Sequence, residues 1–258
     1  MQNQQPLVEL INVQKRFGGI HAVENMSLVV NSGEVLGLLG HNGAGKSTLI
    51  KLLSGAYPLD GGEIRINGVT ANIGTPRDAK KHGIETIYQS LALADNLAAP
   101  ANIFFGRELT TTWGALDEAA MERASMEVMK RLNPQFSNFH EAVSNLSGGQ
   151  RQSVAIARCL QFNAKILIMD EPTAALGPHE TRMVSDLIKN LKKEGIGIIM
   201  ISHDLHDVFD LSDRVCVMKS GRHVWTGKVA ETSKDEVLQM IILGKLPNGE
   251  YAPGVLDR

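Results

Sequence analysis

The 258-residue chain is 43% apolar and 21% charged, an ordinary globular balance that supports one large domain, or one domain with a subdomain. Its formal net charge of −2 gives no general attraction to nucleic acid and no reason to expect a basic groove. The longest apolar runs fall far short of the ~18 residues of a membrane-spanning helix, and Met1–Pro6 lacks the basic and apolar regions of a signal peptide. The expected location is therefore the cytoplasm.

Leu7–Val13 and Met26–Val30 pattern as strands, with Lys15–Gly19 between them as a loop carrying the aromatic Phe17. A turn at Asn31–Glu34 precedes the apolar strand Val35–Leu39. Next comes Gly40-His41-Asn42-Gly43-Ala44-Gly45-Lys46-Ser47, and Thr48–Leu53 then begins a helix. Strand, glycine loop and helix in that order are the context of a phosphate-binding loop, G-x-x-x-x-G-K-S. The glycines let backbone N–H groups turn inward toward phosphate oxygens, aided by the positive end of the helix. Lys46 is placed to reach the β- and γ-phosphates of a nucleoside triphosphate, and the Ser47 hydroxyl to bind Mg²⁺.

Asp60–Gly62 turns into a strand at Glu63–Gly68, and Thr75-Pro76-Arg77-Asp78 starts a helix that should end near Gly83. Ile84–Tyr88 is the next strand, with Gln89 at its end. From about Ser90 to Leu160 strand patterns give way to helical ones, such as Asp117–Leu132 with Met121, Val128, Met129 and Leu132 on one side. This segment reads as an inserted helical subdomain. Ile166–Met169 then has the all-apolar character of a buried parallel strand. A helix at Pro178–Lys193, a strand at Ile196–Ile201 and a short helix at Asp204–Leu211 follow. A hairpin around Ser220-Gly221 and a helix at Lys234–Leu243 close the pattern, and the tail from Lys245 reads as loosely held. Cys159 and Cys216 lie in apolar runs outside any C-x-x-C pair, which makes them buried thiols rather than metal ligands.

Two further stretches carry chemistry. Asp170 and Glu171 stand at the carboxyl end of a buried strand, where parallel α/β sheets bind ligands. Asp170 there would hold Mg²⁺, and Glu171 would polarise the water that attacks a γ-phosphate. Leu146-Ser147-Gly148-Gly149-Gln150, ahead of the helix beginning near Arg151, is a second anion-binding turn. That pentapeptide resembles the signature motif of the ATP-binding-cassette (ABC) ATPases, and the likeness extends from Leu7 to about Leu243.

The resemblance implies an α/β fold: a P-loop NTPase core with a mixed sheet, an N-terminal antiparallel β subdomain and the inserted helical subdomain at about 90–160. It implies one cassette at 1–244 and a tail at 245–258. By the same likeness Gln89 matches the glutamine that contacts Mg²⁺ and senses a membrane partner. His203 matches the histidine that contacts the γ-phosphate, and Phe17 the aromatic that stacks on adenine. Two such domains pair head to tail in this family, so Leu146–Gln150 of one subunit would close over ATP held by Lys46 and Ser47 of the other. With one cassette here, the expected assembly is a homodimer or a pair with another chain.

One position departs from the pattern: Ala174-Ala175-Leu176 is followed by Gly177, where the family usually has an aspartate that helps couple the two ATP sites. The stretches Tyr88–Leu97, Asn102–Glu108 and Phe17–Ala22 look like those of monosaccharide import ATPases. The resemblance thus implies an ATPase bound to the cytoplasmic face of the membrane. Integral-membrane permease subunits and a solute-binding protein acting through them are its implied partners. The alternatives are import of another solute, or a soluble ABC ATPase outside transport.

Overall fold

The computed structural model describes residues 5–253. Met1–Gln4 of the N-terminal reading and Gly254–Arg258 of the tail lie outside the described residues. The chain opens with β1 (Val8–Phe17), β2 (Ile20–Val30), β3 (Val35–Leu39), α1 (Lys46–Leu53), β4 (Gly61–Ile66) and β5 (Val69–Thr70). Then come α2 (Pro76–Lys81), β6 (Ile84–Ile87), α3 (Ala99–Ile103), α4 (Glu118–Leu132) and α5 (Gly148–Leu160). The last part holds β7 (Ile166–Asp170), α6 (Pro178–Lys193), β8 (Gly197–Ile201), α7 (Leu205–Leu211), β9 (Arg214–Lys219), β10 (Arg222–Lys228) and α8 (Lys234–Leu243).

Two sheets result. One is antiparallel, in the order β2-β1-β4-β5; the other is mixed, in the order β10-β9-β3-β8-β7-β6, with only β10 antiparallel to its neighbour. The strands β3 and β8 are buried at every position, because both faces of the mixed sheet are covered. Alternate residues point to opposite faces of a strand. Leu36, Leu38, Ile166, Ile168, Ile199 and Ile201 accordingly pack with α1 and the antiparallel sheet. Val35, Leu39, Leu167, Met169, Ile198 and Met200 pack on the side of α5 and α6. The two-sided demand explains the unbroken apolar runs in the sequence.

The helices follow their own period. In α6 the buried residues are Val184, Leu187, Ile188 and Leu191, spaced i, i+3, i+4, i+7 as one helix face requires. Asp117 caps α4, its Oδ1 accepting from Ala120 N at 2.9 Å. Between β6 and β7 the chain carries α3, α4, α5 and isolated bridges.

Two sequence expectations are corrected. Lys15–Phe17 is strand rather than loop: β1 runs through Phe17, which pairs with Ile20 across a hairpin turning at Gly18-Gly19. Asp60, far along the chain, fixes this extension by accepting from Lys15 Nζ at 2.8 Å and from Arg16 N at 2.7 Å. The tail from Lys245 is not loose as far as Pro253: Lys245 bridges to Tyr251, and Ala252 is buried against the main core. The short strand β5 adds an edge that the sequence pattern does not show, while α3 falls inside the expected helical segment.

Candidate functional site

The parallel register sets the site. Leu38 of β3 stands level with Ile201 of β8, and Ile201 level with Asp170 of β7. Ile87 of β6 is level with Met169. The segments leaving these strands are Gly40–Lys46, Ser202-His203, Glu171 and Gln89, so all four emerge at one carboxyl edge of the sheet. That edge is where open parallel sheets bind ligands.

At this edge the glycine loop wraps into α1. Gly45, at φ +100, precedes the helix, and a Cβ there would stand 2.5 Å from Ala22 O. Gly40 is similarly hemmed, 2.4 Å from Met218 O. Both positions need glycine for space as well as conformation. Lys46 is buried, and its Nζ donates to Gly40 O at 2.6 Å and His41 O at 3.1 Å. Burial pushes its pKa down, while Glu171 and Asp170 pull it back up. The cation is thus held over its own loop by two carbonyl oxygens, and the Glu171 and Asp170 charges favour its charged form.

A cavity of about 430 Å³ opens beside the loop, bordered by Gly43, Lys46, Ser47, Asp170 and His203 among others. Burial raises the pKa of Asp170, opposed by the His203 and Lys46 charges. Glu171 is also raised, chiefly by burial, with the His203 backbone N–H and ring pulling it down. Its carboxylate oxygen Oε1 lies 3.4 Å from His203 Nε2 and makes no hydrogen bond with any described group. The Glu171 backbone is left-handed, φ +53, and its N–H donates to Ile201 O at 2.8 Å. A non-glycine residue held in that region of backbone space is strained, and such strain clusters at functional sites. A weakly solvated carboxylate beside an imidazole, one residue beyond Asp170, can accept a proton from water.

Other expected site residues lie farther out. Phe17 is 43% exposed and meets Tyr57 edge-on with ring centroids 5.2 Å apart. Its strand partner Ile20 borders the cavity. Gln89 is exposed in the turn after β6 and His41 is exposed on the loop, whereas Asn42 and Thr48 border the cavity beside Lys46 and Ser47. Leu146–Gln150 stands apart from the cavity, at the start of α5. There Ser147 Oγ accepts from Gln150 N at 3.3 Å, and Gln150 Oε1 accepts from Ser147 N at 3.0 Å. This is a reciprocal capping box. One protomer therefore keeps Ser147–Gly149 away from its own Lys46.

The cavity also has walls that sequence reasoning missed: His21 and Ala22 of β2, and Ser220 in the β9–β10 turn. They arrive through long-range pairing, with Glu24 N donating to Gly221 O at 2.8 Å and Gly221 N to Ala44 O at 3.0 Å. The Ser220-Gly221 turn is the one local signal for them.

The comparisons agree with this geometry. The sequence profile of the ABC transporter family matches residues 23–174. The chain is 42% identical over 247 residues to a xylose/arabinose import ATP-binding protein of Sulfolobus acidocaldarius, covering 95% of this chain and 98% of that one. A ribose import ATP-binding protein of Burkholderia cenocepacia is 42% identical over 261 residues, covering 97% of this chain and 50% of its own length. The chain thus spans about half the length of that ribose relative. Among solved structures, a nucleotide-free ATP-binding cassette superposes with TM-score 0.78 at 25% identity, over 90% of this chain and 98% of that one. A dimeric cassette in a post-hydrolysis state with ADP and Pi gives TM-score 0.70 at 26% identity, over 86% of this chain and 98% of the other. The chain belongs to the ABC transporter family, and the part it supplies is the ATPase cassette.

Proposed function

We propose that this cassette is the motor of an importer for a small solute, a monosaccharide, working as a head-to-tail dimer. The observation that carries the reading is the gathering of Lys46, Asp170, Glu171 and His203 at one edge of the sheet, three of them on the cavity of about 430 Å³. In this reading the N–H groups of Gly40–Thr48 cradle the phosphates, and Lys46 turns from its loop carbonyls to the β- and γ-oxygens. Phe17 stacks on the base. His203 donates to the γ-phosphate, and Glu171 takes the proton of the attacking water. Ser147–Gly149 of the partner close the site from the other side, with Leu146 buried beneath the turn and Gln150 capping it.

Ser47, Gln89 and Asp170 offer a hydroxyl, an amide and a carboxylate oxygen, a hard donor set that fits Mg²⁺ sharing its shell with phosphate and water. When bound, the ion would offset charge on the β- and γ-phosphates. The unpartnered Glu171 Oε1 beside Asp170 also fits a site completed by ligand or water rather than by protein alone.

Among the described residues no helix is long and apolar enough to cross a membrane, so a transport role needs integral-membrane permease subunits. Exposed Tyr88, Phe105 and Leu116 border two adjoining hollows beside α3 and supply an apolar surface for them. A solute-binding protein would act through those subunits, which would hold this chain at the cytoplasmic face of the membrane. The names of the sugar-import relatives support the solute class. We assign one cassette to 1–244, with a helical subdomain at about 90–160 and a tail at 245–258.

The test is ATPase activity of the chain co-expressed with its permease, against a panel of sugar-loaded binding proteins. Stimulation by one monosaccharide is the expected result. Steady basal hydrolysis that no sugar changes would remove the solute assignment.

A further inference from the structure

Gly177, where the family resemblance leads one to expect an aspartate, begins α6 without any side chain to cap it. The carboxylate that does the capping comes from Glu180, whose Oε2 accepts from Gly177 N at 3.1 Å. An N3 carboxylate reaching back to its own helix start is ordinary. The neighbour it meets there is not. A Cβ at Gly148 would stand 3.4 and 3.5 Å from the two Glu180 carboxylate oxygens, and one at Gly149 would stand 3.4 Å from Glu180 Cβ. Leu176 and Met183 crowd the same two glycines, at 2.5 and 2.2 Å from those Cβ positions. The glycine pair lets the start of α6 close onto the start of α5.

The Glu180 carboxylate thus caps the 16-residue α6 and lies against the start of the 13-residue α5. The Gly177 N–H is the main cause holding the Glu180 carboxyl below the usual range, and Gly149, Ser147 and Gly148 add to it. Those last three groups are the ones that would face the nucleotide held by a partner. Two anions cannot share them without repulsion.

We propose that Glu180 is the resident anion of the signature turn: it holds Ser147–Gly149 in the separate protomer and is displaced by the γ-phosphate that a second protomer brings. This rests on the reading of Leu146–Gln150 as the half-site that acts in trans. It makes Glu180 a positioning residue that sets how much ATP is needed before two protomers close.

The experiment titrates ATP against dimer formation, by light scattering of the full chain in a Glu171→Gln background that slows turnover. Glu180→Gln keeps an oxygen for Gly177 N and removes the charge. It should move the dimerisation midpoint to lower ATP by about two- to fivefold for each site, the size of one charge at an exposed helix end. The shift should shrink in 1 M salt, as a charge effect must, while ATP affinity of the separate protomer stays as in the parent. Glu180→Ala, which also loses the α6 cap, should melt lower yet still dimerise at lower ATP. Midpoints unchanged or raised in both variants would overturn the proposal, provided the exposed-site control Ser147→Arg abolishes dimerisation. If Ser147→Arg dimerises like its parent, the trans half-site itself is wrong and the proposal goes with it.

Discussion

Replacing Glu171 by glutamine separates chemistry from stability at one position. The side chain keeps its size, and the left-handed backbone at φ +53 and the N–H donation to Ile201 O need no change. The lost property is the proton-accepting charge 3.4 Å from His203 Nε2. Loss of a positioned general base lowers turnover by about 10²–10⁴, or about 3–5.5 kcal/mol in the barrier. Stability should move the other way. Burial raises the Glu171 pKa, so below the unfolded carboxylate range the group costs nothing, and its cost grows as pH rises through the folded pKa. At neutral pH the neutral amide removes that cost. Phosphate-release kinetics, fluorescent-nucleotide binding and thermal melting should thus report slow turnover, retained ATP binding and an equal or higher Tm. Turnover within threefold of the parent would refute the base assignment. A clearly lower Tm would refute the claim that the buried charge is a burden.

Lys46→Ala removes a cation expected to make charge-assisted bonds worth about 1.5–3 kcal/mol to phosphate, so ATP affinity should fall about 10- to 150-fold by calorimetry. Unchanged affinity would dismiss the phosphate role of the loop. Gly45→Ala puts a Cβ 2.5 Å from a backbone oxygen at φ +100; strain of about 1–3 kcal/mol should lower Tm by about 2–10 °C and weaken nucleotide binding with it. Burial pushes the Cys159 thiol up to about 12 and the Cys216 thiol up to about 11. Both should resist maleimide at pH 8 until the chain unfolds. Because the unfolded thiols lose their protons first, stability is intact below about pH 9 and falls above it, by up to about 1.4 kcal/mol per pH unit for each thiol. Cys216→Val should flatten part of that slope in urea titrations at pH 8 to 11.

What could be read from the residues was what local chemistry encodes. The conformations of the glycine loop and of Leu146–Gln150 were legible because each is a contiguous stretch shaped by its own backbone; the Ser147–Gln150 cap lies three residues apart. The buried strands β3, β7 and β8 were legible because burial on both faces leaves an unbroken apolar run. Lys15–Phe17 was misread because the partner that holds it extended, Asp60, is 45 residues beyond Lys15. His21 and Ser220 reach the cavity only through pairing between the two sheets. Glu180 carries no motif of its own, and its contact with Gly148 exists only once α5 and α6 pack together.

The level row formed by Leu38, Ile201 and Asp170 has a further meaning. Residues that leave adjacent strands at one height are welded to a single plate, and the plate is buried on both sides. The backbone positions from which Asp170, Glu171 and His203 leave the sheet then have little room to shift one against another. On the proposed head-to-tail reading, control over this ATPase acts on arrival, by presenting or withholding the second protomer's turn, rather than by moving the strands that carry these groups. In that reading the pace of the motor is set by encounter between protomers.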